Sequence, residues 1–461
     1  MIDLTAGEIS TIVEGTLHGD PAIRITEPAV FDSRLATQGS LFIALKGDIR
    51  DGHDFAKDAL SKGANLVLAS QLIDGPCVVV SDVRIAIGKL AQHVRQALPH
   101  LTVIGITGSQ GKTTSKDLLS WVLSMNGQTV SAEGSFNNEL GVPLTLLRCT
   151  PQTRYCVLEM GARHKGDIAQ LCEIASPDIG VVLKVGNAHV GEFGSREIIA
   201  KTKAELINSL PETGTAILGL YDEYTPLMAK GRTLRTLTFG ETHDADVRAT
   251  DVDIREGRAH FDLVTPQGRS AVGLRLIGTH QISNALAVAS VATALEIPLD
   301  VIAVGLSTAD VVSKWRMELH ELDGVLLIND AYNANPDSTA AALRSLALFA
   351  QERGGQSWAF LGKMHELGEE SARDHANIGT LAQSLGIDHL VAVGAHEYGA
   401  DVMPESAMRV HLCSDQLQAQ EFVQHIQEGD VLLFKASRAE KFEELVKSVE
   451  QLWSEKLGDE A

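Results

Sequence analysis

Ten residues, GITGSQGKTT (105–114), combine glycines, a lysine and three threonines at a spacing suited to holding phosphate. They follow the apolar run LTVIGI (101–106) and precede a helical pattern, so a strand should feed a helix through a glycine-rich turn. Backbone N–H groups of Gly108, Ser109, Gln110 and Gly111 would converge on phosphate oxygens, because a helix start offers unpaired donors. The Lys112 ammonium would sit on the β- and γ-phosphates. The Thr113 hydroxyl, with Thr114 behind it, would ligate Mg²⁺. The loop is a short GxxGKT form, since the first glycine of the full phosphate-loop pattern falls on Ile106. Its plain alternative is a glycine-rich turn with no ligand.

Two further groups lie where strand ends should point at such a ligand. Glu159 ends the run YCVLEM (155–160), and His189 follows DIGVVLKV (178–185). In a parallel sheet both ends face the ligand crevice. A carboxylate and an imidazole there, with Thr113, would make a Mg²⁺ site. Singly, Glu159 reads as a solvated strand-end acid and His189 as a capping histidine. Lys203 reads singly as an exposed helical lysine paired with Glu205 or another acid.

The elements that must position these groups alternate along the chain. Short apolar strands and helical patterns through residues 101–220 predict a parallel sheet covered on both faces. From about 240 to 277 the alternation has period two, which predicts small antiparallel strands. A long Ala- and Val-rich helix is expected from Gln281 to Leu295. A second alternating block begins near Trp315, with strands GVLLIND, WAFLG, HLVAVG and DVLLFKA, and reads as a Rossmann-like unit. The first 83 residues form a third piece, containing SLFIALKG and ANLVLAS. The reading is three α/β domains: 1–83, 84–313 and 314–461.

Composition narrows the function. The chain has 461 residues, 44% of them hydrophobic and 21% charged, as a folded protein does. Its net charge of −21 argues against a broad nucleic-acid surface, which needs clustered Lys and Arg. A single loop can still bind a small anion. The five cysteines are scattered without a CxxC pair, so neither a disulfide framework nor a zinc site is expected. MIDLTAGEIS lacks the basic and apolar regions of a leader, and no run of about 18 apolar residues could span a membrane. A cytoplasmic protein is expected.

Motifs along almost the whole chain resemble the muramoyl (Mur) ligases, ATP-dependent amide-forming enzymes of peptidoglycan precursor synthesis. They are DSR (32–34), LFIALKGDIRDGHDF (41–55), TGSQGKTT (107–114), FNNELGVPLTLL (136–147), LEMGA (158–162), NAHVGEFGS (187–195), KTKAEL (201–206), GTHQISNALA (278–287), DAYNANPDS (330–338) and LGKMHELG (361–368). The last two resemble the branch that adds D-alanyl-D-alanine to UDP-MurNAc-tripeptide. The sister branch's DNPR is absent from the sequence.

The resemblance implies ATP and two Mg²⁺ ions, with Thr113, Glu159, His189 and Lys203 as metal ligands. Lys203 would carry a carbamate; Lys201 competes for that role, and the KAEL that follows Lys203 decides for it. His280 and Asn284 would contact the nucleotide, Arg316 its phosphates on domain closure, and Asp330 its ribose. Without the resemblance these read as a polar helix start, an interdomain ion pair and a turn cap. Ser33, Arg34, Lys46, Gly47, Asp51, Gly52 and His53 match the family's uridine-nucleotide segments, making residues 1–83 a small uridine-binding domain. Asn137 and Asn138 fall to the substrate. Tyr332, Asn333 and Asn335 fall to nucleotide or dipeptide, and Lys435, Ser437 and Arg438 to the dipeptide. A working monomer is expected. Trp315 and Ala436 stand where the family usually has glycine, so a different local backbone is expected at both. The rival readings are a folylpolyglutamate- or cyanophycin-type ligase and a non-catalytic nucleotide-binding regulator.

Overall fold

A computed structural model of the chain describes residues 1–47, 50–186, 190–310, 313–403 and 407–460. It contains three α/β bodies, each built on its own sheet. The first sheet runs Thr16–His18, Cys77–Val79, Leu66–Ala69, Leu41–Ile43, Ala29–Val30, parallel except at the Thr16–His18 edge. The helix Val83–Ala97 packs its apolar face into a core shared by this body and the central one.

The central sheet has nine strands. Thr102–Thr107 lies third from one edge, between Tyr155–Glu159 and Ile179–Val182, and pairs with both in parallel. The chain leaves Thr102–Thr107 towards one edge and returns on its other side. This places a topological switch point, and hence a crevice, at the carboxyl end of that strand. All three strands are apolar almost throughout, as burial on both faces requires.

The antiparallel strands expected between 240 and 277 are present: Val247–Arg255, Arg258–Thr265 and Gly268–Ile277. They do not form a separate small sheet. Val247–Arg255 joins Arg235–Gly240 through a short parallel pairing, and one continuous sheet results. Joining this way covers the edge that the parallel sheet would otherwise expose.

Two elements are placed by close contact. A Cβ on Gly105 would stand 3.0 Å from Leu206 Cδ1, and one on Gly180 3.1 Å from Leu206 Cγ. The bare backbone thus lets the helix Arg196–Asn208 press onto the sheet. Lys203, one turn before Leu206, lies on the same inward face. The helix Gln281–Ala294 is buried almost all round and delivers Asn284 to the crevice from its first turn.

The third body has six strands, in the order Glu318–Leu322, Val325–Asn329, Val431–Lys435, Ser357–Gly362, His389–Val393, Arg409–Cys413. Only the first pair is antiparallel. The helix Pro336–Arg353 opens with a capping box between Asn335 and Ser338 and a proline in its first turn.

Candidate active site

The carboxyl ends of the central and third sheets face one another across a cavity of about 870 Å³. On the central side is the loop between Thr107 and the helix Lys112–Ser124. Gly111 takes φ 79°, and a Cβ there would stand 2.2 Å from Asn284 Oδ1. Only glycine fits both constraints. The amides of Gln110, Gly111, Lys112, Thr113 and Thr114 donate to no described group, and all five residues line the cavity. This is a cradle of unpaired donors at a helix start. Ser109 closes the loop from behind: its N–H donates to Lys184 O (2.9 Å), and Gly186 N–H donates to its Oγ (2.8 Å). Gly108 backs the loop, and its carbonyl accepts from Lys112 Nζ (2.9 Å).

Glu159 is buried at its strand end and holds two groups. Thr113 Oγ1 donates to Oε2 (2.7 Å), and Asn137 Nδ2 donates to Oε1 (2.7 Å). These oxygens, with lone pairs remaining, are a hard donor set of the kind Mg²⁺ takes. Among the described residues no three His, Cys, Asp or Glu side chains converge on a metal position. His189 lies outside the described residues.

Lys203 is buried and lines the same cavity, and its ammonium has no hydrogen-bond or ion-pair partner among the described residues. Burial, with the Lys112 ammonium nearby, lowers its pKa to about 7. The plain alternative, an exposed lysine paired with Glu205, does not hold: Glu205 accepts from Gly166 N–H and Ala169 N–H at the start of the earlier helix Asp167–Ala175. Lys201 is exposed on the opposite face. Burial also pulls the Lys112 pKa down, opposed by Glu159 and reinforced by Arg316.

Asn284 accepts from Ser115 Oγ (3.2 Å) and donates to Gln281 Oε1 (2.7 Å), and Gln281 Nε2 meets His280 Nε2 (3.1 Å). His280 is half-buried on the cavity wall. Burial lowers its pKa to about 4 against the pull of Asp330, so its ring is neutral at pH 7.

The third body supplies the opposite wall. Arg316 Nη2 donates to Thr113 Oγ1 (3.0 Å) across the domain boundary, and its guanidinium lies 4.0 Å from the Tyr332 ring centroid. Arg316 Nε is buried with no partner. Gln110 Nε2 donates to Asn335 Oδ1 (3.0 Å), and the Tyr332 hydroxyl bonds Ser135. These contacts make the arrangement a closed one.

Asp330 pairs with Lys435 Nζ (2.5 Å) and accepts from Met317 N–H (3.2 Å), while Lys435 also donates to Asn333 O (2.8 Å). Ser437 Oγ donates to Ala334 O (3.3 Å), and Arg438 Nη1 donates to Glu443 Oε1 (2.6 Å). Ala436 is fully buried with an ordinary negative φ, so the position does not call for glycine's left-handed freedom. Trp315 has φ 60°, the region glycine favours, despite its side chain.

The candidate uridine residues do not line this cavity. Ser33 Oγ donates to Asp58 (2.6 Å), and the exposed Arg34 folds back onto Asp32. Lys46 and Asp51 form an antiparallel bridge that closes a small loop, with Gly47 N–H donating to Arg50 O (2.9 Å). Gly52 fits tightly under Leu45. His53 uses both ring nitrogens, Nδ1 on Asp51 (2.5 Å) and Nε2 accepting from Ser70 N–H (3.1 Å), so it shapes the loop. The Phe31 and Phe136 rings meet edge to face at 5.9 Å and connect this body to the loop bearing Asn137 and Asn138, which do line the cavity.

The sequence reading missed Ser135, Gln281, Arg163, Asp167 and His365, which also form the cavity wall. Gln281 and His365 lie inside motifs already singled out, and Arg163 directly follows LEMGA. The remaining two carry no local signal.

Three family models match the chain: the Mur ligase catalytic domain over residues 30–99, the Mur ligase middle domain over 106–292, and the Mur ligase glutamate ligase domain over 315–438. The chain is 44% identical over 426 residues to the UDP-N-acetylmuramoyl-tripeptide–D-alanyl-D-alanine ligase of Mycobacterium tuberculosis, covering 86% of this chain and 84% of that one. A crystal structure of MurF from Acinetobacter baumannii superposes with a TM-score of 0.87 at 33% identity, covering 97% and 99% of the two chains. MurF ligase from Thermotoga maritima, solved in complex with ADP, does so with a TM-score of 0.79 at 31% identity over 94% and 99%.

Proposed function

The chain belongs to the Mur ligase family, and we propose that it joins D-alanyl-D-alanine to UDP-N-acetylmuramoyl-tripeptide with conversion of ATP to ADP. One observation carries this reading. The phosphate cradle 110–114, the Glu159–Thr113 pair, Lys203 and Arg316 line one cavity between the central and third bodies.

A carboxylate is a poor electrophile at neutral pH, so ATP passes its γ-phosphoryl group to the terminal carboxylate of the tripeptide and leaves as ADP; the dipeptide amine then attacks the acyl carbon, and inorganic phosphate leaves as the amide forms. The chain's own work is binding and charge neutralisation. The free amides and Lys112 receive the phosphates, and the unpartnered Arg316 Nε supplies a further donor from the third body. Thr113, Glu159 and, on the family's pattern, His189 would hold Mg²⁺, which when bound neutralises developing phosphoryl charge. Lys203 would complete the set as a carbamate, its neutral Nζ forming an N–C bond to carbon dioxide with release of a proton. A buried amine with no acid partner among the described residues and a pKa of about 7 is half neutral at pH 7, and neutral amine is what carbamate formation requires. Asn284 and His280 face the nucleotide, and Lys435, Ser437 and Arg438 face the dipeptide. The first body holds the uridine nucleotide through the segments around Ser33 and Asp51. We read the working unit as a monomer, and use of ATP with nucleotide-linked precursors supports a cytoplasmic reading.

The test is a panel of UDP-muramoyl peptides and amine acceptors, read by product mass and ADP release. ADP release should require both UDP-MurNAc-tripeptide and D-Ala-D-Ala. Turnover with glutamate and a folate, and none with D-Ala-D-Ala, would overturn the assignment.

A further inference from the structure

The turn that leads into the third body contains two non-glycine residues in the left-handed region, Trp315 at φ 60° and Met317 at φ 52°. Side chains disfavour this region, and it persists only where surroundings enforce it. Two hydrogen bonds do so here. Tyr332 N–H donates to Trp315 O (3.1 Å), and Met317 N–H donates to Asp330 Oδ1 (3.2 Å). The turn is thereby pinned to the segment 330–332 on the cavity wall.

Consecutive side chains then go to two different arginine positions. Arg316 itself crosses to Thr113. The Trp315 indole lies against the guanidinium of Arg438, whose carbon stands 4.6 Å from the ring centroid. The other restraint on Arg438 is Glu443, bonded to Nη1 at 2.6 Å. An aromatic face and a carboxylate together hold a long side chain that is otherwise half exposed. Its remaining N–H donors are left for the cavity, which Arg438 lines.

We propose that Trp315 is a positioning residue: by stacking on Arg438 it fixes that guanidinium to receive the carboxylate end of the dipeptide acceptor. The inference rests on the functional reading above, in which the acceptor lies against the third body. A planar guanidinium held on one face by a ring keeps its edge donors free, which is the geometry for binding a carboxylate.

The left-handed backbone makes the experiment clean. Trp315→Gly removes the ring while leaving a residue that adopts φ 60° freely. Steady-state kinetics of full-length wild type, Trp315→Gly and Trp315→Tyr would be measured with D-Ala-D-Ala and with its C-terminal amide. In Trp315→Gly the KM for D-Ala-D-Ala should rise about tenfold, in the range a cation–π contact supports. The KM for ATP and the kcat at saturating dipeptide should stay within about twofold. Trp315→Tyr, which retains a ring, should recover most of the loss. The amide, having no carboxylate, should be used equally poorly by wild type and Trp315→Gly. An unchanged dipeptide KM in Trp315→Gly, or an equal loss with the amide, would overturn the proposal. Absence of any D-Ala-D-Ala product with wild type would instead sink the functional reading on which it rests.

Discussion

Replacing Lys203 by methionine should make the protein more stable while removing its activity. The side chain is buried, has no partner among the described residues, and its pKa falls from the ordinary 10.5 to about 7. In the unfolded chain the same amine keeps its proton up to about pH 10.5. Between those values the unfolded state binds more protons than the folded one, so wild-type stability rises with pH at about 1.4 kcal/mol per unit. The penalty is whole below pH 7 and vanishes near pH 10.5. At pH 7 it is on the order of 4 kcal/mol, an amount comparable to burying an unpaired charge. Methionine fills similar volume with no charge to desolvate. Urea denaturation from pH 6 to 10, in carbon-dioxide-free buffer without magnesium, should therefore show Lys203→Met ahead at pH 7 and the gap closing steadily above it. Equal midpoints at pH 7, or a gap that does not change with pH, would show that the lysine is not a strained, uncompensated amine.

Other consequences are as direct. Lys112→Ala should lose ATP turnover by the equivalent of about 3–4 kcal/mol in the transition state with an unchanged circular dichroism spectrum; near-normal turnover would remove the phosphate loop from the mechanism. Gly111→Ala places a Cβ on Asn284 in a disfavoured φ, and should weaken nucleotide binding at least tenfold by calorimetry, about 1.4 kcal/mol. Lys203→Ala should be nearly inactive and partly restored by formate or acetate, whereas the exposed Lys201→Ala should keep most activity; carbon-13 NMR after labelled bicarbonate would locate the carbamate. UDP alone should slow hydrogen exchange around Ser33 and Asp51, and protection confined to 105–114 would place the uridine site elsewhere.

The alternating apolar runs were enough to place strands and helices, because strands buried on both faces carry a nearly continuous apolar signature. TVIGIT, YCVLE and VLLIN all became interior strands, each paired on both sides. What the pattern did not contain was how strands join. The period-two segment was legible as antiparallel strands, but its attachment is a pairing of Phe239 with Val247 and Gly240 with Arg248, made by backbone atoms that leave no trace in side-chain type. The inward direction of Lys203 was also hidden. It depends on Gly105 and Gly180, about 98 and 23 positions earlier, admitting Leu206 against the sheet.

The site shows the same division between local chemistry and distant geometry. GSQGKTT announced itself, since the loop, its lysine and its hydroxyl are contiguous. Arg316 did not: its sequence neighbourhood fits an interdomain ion pair as well as a phosphate contact, and its nearest polar partner, Thr113, is 203 residues away. The structure separates the two readings on electrostatic grounds. An arginine serving as an interdomain clamp would hold a carboxylate, because a buried guanidinium left unpaired is costly. Arg316 has no acidic partner among the described residues, rests on the Tyr332 ring, touches a neutral hydroxyl and keeps Nε buried and unsatisfied. Its positive charge is thus balanced by nothing the described residues supply at close range, at the mouth of a loop whose amides are also unpaired. Unpaired donors on both walls of one cavity, in an acidic chain with many carboxylates to offer, are what an anionic ligand between the two domains requires.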